Sequence, residues 1–207
     1  MTTAAATLLF ETDALSLHHH RMPAAGELTV EKGPLVHILV ISGALKNETD
    51  RIHPGAVLTC PAGETTVLSN PGQEPATFLT LQWRGQPQSA LPEQSPTEVR
   101  PWGSFTVISD DPGYKVKTLT VSPAGRLSLQ RHQKREEHWF VLAGAATVTV
   151  NEKTETFSPG SYIHIPLHAW HRLANESATP VVILEVQLGS YFGEDDIERS
   201  ADDYGRH

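Results

Sequence analysis

Short apolar runs rich in Val, Ile, Thr and aromatic residues follow one another along the chain, separated by turn residues. Clear examples are LVHILVIS (35–42), TFLTLQW (77–83), ATVTV (146–150) and VVILEVQ (181–187). Fifteen glycines and fifteen prolines punctuate these runs. Many short strands with frequent turns, and no long stretch of helical periodicity, predict an all-β sandwich or barrel.

Two local features add detail to the all-β prediction. Residues 145–157, AATVTVNEKTETF, have the pattern of two strands joined by a turn at Asn151–Lys153, which predicts a hairpin. The acidic segment 193–204, GEDDIERSADDY, is the stretch that could form a helix instead of a strand.

The chain also contains an internal repeat, in which five residues recur 105 positions later in the same order. They are Gly55, Pro61, Asn70, Pro75 and Gln82 in the first copy and Gly160, Pro166, Asn175, Pro180 and Gln187 in the second. The segment between the copies, 85–101, is rich in Pro, Gln and Ser and is typical of a linker. These features predict two similar β-barrels in tandem, at 1–95 and 96–207.

Composition narrows the range of partners. A formal net charge of −8 and a pI near 5.7 argue against nucleic acid, because phosphate backbones require basic surfaces. Cys60 is the single cysteine, so no internal disulfide can form, which fits a reducing cytoplasm. The first residues lack the basic segment of a signal peptide, and no apolar run reaches membrane-spanning length. We expect a cytoplasmic protein that binds neither nucleic acid nor membrane.

The stretch LSLQRHQKREEHWFVLAG (127–144) is densely polar before it turns apolar, which suggests a metal site. On a strand, Gln130 and His132 are two residues apart and face the same side. Glu137 can return to that face after a turn at 133–136, and His171 would come from a separate segment. Oxygen and imidazole donors without a thiolate suit one divalent ion, with zinc as the first candidate and Mn, Fe, Co or Ni as alternatives.

These residues fall into two spaced motifs. Gln130-x-His132-x4-Glu137-x6-Gly144 and Gly160-x5-Pro166-x-His168-x2-His171-x3-Asn175 resemble the paired motifs of the cupin β-barrels. Gln130 stands where the motif has a histidine, and His168 stands where it has a glycine. The resemblance implies two tandem double-stranded β-helix, or jelly-roll, barrels.

The first copy retains the turn residues of the motif but lacks its ligands. Thr66 stands in the histidine position, and counting back from Gly43 places Val36 in the glutamate position. The run 18–20 is three consecutive histidines, but adjacent strand residues face opposite sides and make a poor single site. We therefore expect a degenerate first barrel that binds no metal and serves as a scaffold or interface.

The second copy has a closer resemblance over residues 98–206. The matching segments include LSLQ (127–130), EHW (137–139), GEDDI (193–197) and YGR (204–206). Together they resemble the C-terminal cupin domain of type II phosphomannose isomerases, which are often fused to a mannose-1-phosphate guanylyltransferase. The sequence has no glycine-rich nucleotide loop, so no guanylyltransferase activity is expected.

The resemblance implies interconversion of mannose 6-phosphate and fructose 6-phosphate through a cis-enediol. The metal ion would polarise the substrate oxygens. Lys117, His138 and His168 are the candidates for the catalytic base, with Lys117 alternatively stabilising an oxyanion. Arg135 and Arg199, with Lys134 in reserve, are the candidates for binding the phosphate.

Departures from the family motif leave other functions open. The relatives usually read HHHRAEHW where this chain reads HQKREEHW, so Gln133, Lys134 and Glu136 differ. One alternative is a non-catalytic metal-bound bicupin that binds or senses a small sugar or acid. Another is dioxygenase chemistry, which the Gln130 ligand counts against. In each case we expect a small-molecule partner and a homodimer.

Overall fold

The computed structural model of the chain describes residues 3–11, 15–54, 56–83, 97–201 and 205. Two compact units divide the chain at Met1–Gln88 and Ser89–His207. The boundary expected near residue 95 falls within 84–96, and part of the matched tail falls at 202–204 and 206, all outside the described residues. No helix in the described ranges is long and apolar enough to span a membrane.

The first unit is built from two antiparallel sheets. Its strands are β1 (Ala5–Glu11), β2 (Leu15–Met22), β3 (Glu27–Val30), β4 (Val36–Ser42), β5 (Leu45–Lys46), β6 (Arg51–Ile52), β7 (Val57–Cys60), β8 (Thr66–Ser69) and β9 (Ala76–Trp83). The five-stranded sheet has the order β1-β2-β9-β4-β7 and the four-stranded sheet the order β3-β8-β5-β6. Side chains including Met22, Val36, Ile38, Leu68 and Phe78 form one buried apolar cluster in this unit.

The second unit repeats this arrangement with longer strands. They are β10 (Thr97–Arg100), β11 (Gly103–Asp111), β12 (Tyr114–Val121), β13 (Leu129–His132), β14 (Arg135–Ala143), β15 (Ala146–Val150), β16 (Lys153–Phe157), β17 (Tyr162–Ile165), β18 (His171–Ala174), β19 (Val181–Gly189) and β20 (Ile197–Ala201). The six-stranded sheet has the order β10-β11-β12-β19-β14-β17 and the five-stranded sheet the order β16-β15-β18-β13-β20. A core around Trp139, Val141, Leu173 and Ile183 is common to both sheets. The all-β prediction is confirmed.

The predicted hairpin is confirmed, whereas the helical alternative for the acidic tail is wrong. β15 pairs with β16 across a turn in which Asn151 has a φ of 53°. In the tail, a single 3-10 turn at Glu194–Asp196 leads into β20, which pairs with β13. The bidentate contact of Arg131 with Glu198, at 2.8 Å for both nitrogens, lies across this pair. Pairing along the edge of β13 satisfies backbone groups that a short exposed helix would leave to water.

Repeated turn residues have the same structural role in both units. Gly43 and Gly144 have φ values of 75° and 76°. A Cβ at Gly144 would lie 2.5 Å from the carbonyl oxygen of Pro180, and one at Gly43 would lie 2.9 Å from the Cα of Ala76. Glycine is required at both positions because of the left-handed backbone and the close approach of the neighbouring strand.

Candidate metal centre

Strand periodicity brings the predicted metal ligands to one interior face of the second unit. Gln130 and His132 are the buried residues of β13, and their neighbours Leu129 and Arg131 are more exposed. A two-residue turn then leads into β14, where Glu137 is buried. His171 opens β18, and its Cα lies opposite that of Gln130 in the β13–β18 pair.

His132, Glu137 and His171 form a compact triad whose side chains are only 1–2% exposed. The Nε2 atom of His132 lies 3.0 Å from Oε1 of Glu137, and Nε2 of His171 lies 3.5 Å from Oε2 of the same carboxylate. One ligand atom from each residue lies within 4.8 Å of the other two. This triad could hold a divalent metal ion.

The imidazole nitrogens fit that use. Apart from their contacts with Glu137, neither Nε2 of His132 nor Nε2 of His171 has a hydrogen-bond partner among the described residues, although both are buried. A buried polar atom without a partner is costly, and a metal ion would satisfy both nitrogens at once. The Nδ1–H of His171 donates to the carbonyl oxygen of Ala169 at 2.9 Å, which leaves its Nε2 lone pair directed at Glu137.

The electrostatics of the triad follow from its burial. Burial alone would raise the pKa of Glu137, but the two imidazoles beside it bring that pKa well below its usual value. Burial lowers the pKa of His132, and this effect outweighs the contact with Glu137. For His171, burial also lowers the pKa, but the contacts with Glu137 raise it more, so the net shift is upward. The interior therefore holds an ionised carboxylate that requires positive charge next to it.

Gln130 and Glu137 both line a cavity in the second unit. The side-chain oxygen of Gln130 already has a hydrogen-bond partner. The hydroxyl of Ser128 donates to Oε1 of Gln130 at 2.9 Å. The carboxamide is therefore held in position beside the triad by Ser128, which lies just before β13.

Glu185 and the polar contacts of Trp139 were not predicted from the sequence. The indole N–H of Trp139 donates to both Glu137, at 3.0 Å, and Glu185, at 3.2 Å. The amide of Gln187 donates to the same two carboxylates, at 2.9 and 3.1 Å. Burial and the charge of Glu137 raise the pKa of Glu185 to about 7. The available signal was the run VVILEVQ, where polar residues two apart interrupt an otherwise apolar strand.

Four basic residues line the cavity next to these carboxylates: Arg100, Lys117, Arg135 and Arg199. Nζ of Lys117 lies 3.6 Å from Oε2 of Glu185. Arg135 is 3% exposed and lies 3.5 Å from Glu137 through its Nε. Its Nη1 donates to the carbonyl oxygen of Gly193 at 3.2 Å and lies 3.5 Å from Asp196. Arg199 reaches the cavity from β20, where its Nη2 lies 3.3 Å from Glu194.

Three predicted site residues lie elsewhere. His138 follows Glu137 on β14 and therefore points to the opposite face of the sheet, where its ring stacks on that of His164. His168 is exposed on the turn before β18, and Lys134 lies over the ring of Tyr191 at 4.8 Å. None of the three lines the cavity beside Glu137. They are left out of the proposed mechanism.

His168 occupies a backbone position that favours glycine. Its φ is 67°, and its backbone N–H donates to the carbonyl oxygen of His132 at 3.1 Å. This left-handed geometry explains why glycine is usual at the same point of the cupin motif. The residue contributes its backbone, rather than its ring, to the support of β13.

The two-barrel fold is similar to that of known protein structures. The structure of an oxalate decarboxylase from Lactobacillus farciminis, solved with formate, superposes with a TM-score of 0.62 at 13% sequence identity. The superposition covers 94% of this chain and 86% of that one. At this identity the likeness shows the fold alone, and it confirms the prediction of tandem cupin barrels.

The second unit has much closer relatives in sequence. The alginate biosynthesis protein AlgA of Pseudomonas aeruginosa is 50% identical over 107 residues, which are 52% of this chain and 22% of that protein. A mannose-1-phosphate guanylyltransferase of Escherichia coli is 47% identical over 107 residues, 52% of this chain and 23% of its own length. The chain thus spans less than a quarter of the length of these relatives. Residues 88–202 match the family model described as mannose-6-phosphate isomerase C-terminal, and the chain therefore belongs to that family.

Proposed function

We propose that the second barrel is a metal-dependent isomerase that interconverts mannose 6-phosphate and fructose 6-phosphate or a close analogue. The observation that carries the proposal is that Glu137, which belongs to the buried triad with His132 and His171, lines one cavity together with Lys117 and Arg199. Family membership over residues 88–202 supports the same reaction class.

The metal would be held by His132, Glu137 and His171, with the carboxamide of Gln130 beside them. Imidazole and carboxylate donors suit zinc first, and Mn, Fe, Co or Ni as alternatives. When bound, such an ion acts as a Lewis acid on the oxygens at C1 and C2 of the substrate.

The proton would move through Lys117 and Glu185, which lie 3.6 Å apart in the cavity. One group of this pair removes the proton from C2 of the open-chain aldose, and the pair returns a proton to C1 of the enediol. The hydroxyl proton on O2 is transferred to O1, so the ketose forms with no net gain or loss of protons. The fixed position of Lys117 over the ring of Phe105, at 5.1 Å, favours this role.

Arg199 would bind the phosphate. It combines access to solvent, with 18% of its side chain exposed, and a position in the cavity lining. Arg135 is more deeply buried and already contacts Glu137 and Asp196, so its main effect is to orient the metal ligands. A guanidinium can bind phosphate through two parallel hydrogen bonds, which fixes the far end of the substrate.

The test is fructose 6-phosphate formation from mannose 6-phosphate, with protein stripped of metal and then reloaded with Zn, Mn, Co or Ni. We expect turnover to return with metal, and His171→Ala to abolish it. His168→Gly is the matched control, because it replaces a nearby histidine outside the cavity and should keep turnover. A filled triad with no turnover under any metal would refute the isomerase and favour a non-catalytic sugar-binding bicupin.

A further inference from the structure

A second cluster of metal-ligating side chains lies on the outer face of the six-stranded sheet. Glu136 and His138 belong to β14 and His164 belongs to β17, where His138 and His164 are directly opposite in the register. Strand alternation turns all three away from Glu137, so this outer cluster shares no ligand with the barrel triad.

The three side chains converge closely. Oε2 of Glu136 lies 3.1 Å from Nε2 of His164, and Oε1 lies 3.5 Å from Nε2 of His138. One ligand atom from each residue lies within 4.8 Å of the other two. The two imidazole rings stack with centroids 4.8 Å apart and planes 13° from parallel, and both Nε2 atoms face the carboxylate of Glu136.

Neighbouring contacts hold this geometry in place. The Nδ1 atom of His138 lies 2.8 Å from the hydroxyl of Tyr162, which fixes the ring so that Nε2 faces Glu136. The cluster is graded in exposure, with His138 buried, 38% of the Glu136 side chain exposed and 43% of the His164 side chain exposed. An ion can therefore enter from solvent, and water can complete its coordination.

One glutamate beside one histidine usually forms no more than a surface ion pair, and such a pair contributes little to stability. Here one carboxylate lies between two imidazoles, each on a different strand of a hydrogen-bonded pair. We propose that Glu136, His138 and His164 form a second metal site, selective for Zn²⁺, Ni²⁺ or Cu²⁺ over Mg²⁺ and Ca²⁺. Two imidazoles with one carboxylate are the donors that borderline transition metals prefer.

Binding at the outer cluster would join β17 to β14. β17 is the last strand in its sheet, so it has a neighbour on one side only among the described strands. An ion bound across this pair clamps the edge strand and stabilises the folded state, because the unfolded chain does not hold the three ligands together.

The experiment measures metal stoichiometry in the untagged full-length chain, first made metal-free and then titrated with Zn²⁺ or Ni²⁺. We expect His164→Ala and Glu136→Gln each to lose one bound equivalent relative to the unsubstituted protein. Tyr162→Phe should weaken that equivalent about tenfold, since it removes a partner of a ligand rather than a ligand. His53→Ala, an exposed histidine of the first unit, is the control and should change nothing.

The outcome separates the outer cluster from the barrel triad. His171→Ala should keep the equivalent that His164→Ala loses, and His164→Ala should keep any isomerase turnover. Equal stoichiometry and affinity in the unsubstituted protein and in His164→Ala would overturn the proposal, whatever the barrel site binds. Metal-dependent thermal stabilisation that disappears in His164→Ala would support the clamp on β17.

Discussion

Val36 in the first barrel and Glu137 in the second occupy the same place in their sheets, since each lies opposite a glutamine, Gln82 or Gln187. The same correspondence extends to the facing sheet. Thr66 lies opposite Val30 in the first barrel, where His171 lies opposite Gln130 in the second. The two barrels thus share a strand framework and differ in the side chains that it points inward.

This difference has an energetic meaning. Val36 packs into the apolar cluster of its barrel, with Met22 and Phe78, and needs no polar partner. Glu137 is equally buried, but it requires contacts from His132, His171 and several donors. One framework can therefore hold either an apolar core or a charged site, and the charged site depends on a complete set of partners.

The largest effect on metal binding and turnover is expected when two residues of the second barrel are replaced by their counterparts from the first. Glu137→Val with His171→Thr should remove one metal equivalent and lower turnover at least about a thousandfold, because the electrostatic support of the reaction is lost. The fold should persist, since Trp139 and Gln187 still donate to Glu185. The measurement is metal content and isomerase rate, with circular dichroism to check folding.

Glu136→Val with His164→Thr is the matched control for that experiment, because it makes the same two kinds of substitution on the outer face of the six-stranded sheet, on β14 and β17. It should keep turnover. Wild-type turnover in the first double variant would contradict the assignment of the barrel triad.

The next largest effect is expected from the reverse substitution in the first barrel, Val36→Glu. Val36→Glu buries a carboxylate in an apolar cluster, beside a cavity that it shares with the imidazole of His20. That imidazole already contacts the hydroxyl of Thr80 at 2.8 Å, and burial lowers its pKa to about 4, so it supplies no positive charge at neutral pH. We expect a loss of about 3–5 kcal/mol in the free energy of unfolding. The loss should grow as the pH rises above about 4.3, because burial raises the carboxyl pKa in the folded state and the ionised form is the one disfavoured. Urea denaturation at two pH values measures it.

Val36→Leu keeps the site apolar but adds one methylene, so it should cost about 1–3 kcal/mol independently of pH and serves as the control. A pH-independent effect of Val36→Glu would contradict the electrostatic explanation.

The turn asparagines should behave alike in the two barrels. Asn70 donates to the carbonyl oxygens of Met22, Pro23 and Glu74, and Asn175 donates to those of Val121 and Thr179. Replacing either one by Ala removes this set of buried and part-buried hydrogen bonds and should cost about 2–3 kcal/mol. Thermal or urea unfolding provides the comparison.

Asn47→Ala is the control, since the side chain of Asn47 caps an exposed turn and should contribute less than about 1 kcal/mol. A large effect at Asn175 and none at Asn70 would show that the shared residue does not have a shared role.

The smallest effect concerns Gly63 and His168, which occupy the same motif position with φ values of 83° and 67°. His168→Gly should stabilise the second barrel, and Gly63→Ala should destabilise the first, each by about 1 kcal/mol. A Cβ at Gly63 meets nothing within 4 Å, so the change measures backbone conformation without a clash. Opposite signs in urea denaturation are the expected result, and equal signs would contradict it.

The repeat and the strand pattern could be read from the sequence because both are local in origin. Alternation placed Gln130 and His132 on one interior face, and a turn after them was expected to return Glu137 to it. The matched spacing added His171, which the structure brings beside them. The same alternation applied to His138 would have turned it away from Glu137. The tail was harder to predict, because GEDDIERSADDY has no periodicity that distinguishes a helix from a strand that pairs at an edge.

By itself the sequence determined two barrels, a metal-binding motif in the second, the family, and the absence of the motif's metal ligands from the first. Only the tertiary structure decided which strands are neighbours. The strand order brings Lys117 into contact with Glu185 and lets the indole N–H of Trp139 donate to Glu185. It also places His164 opposite His138 on the outer face. These contacts join residues far apart in the chain, and backbone pairing across whole sheets establishes them, so no local pattern in the sequence records them.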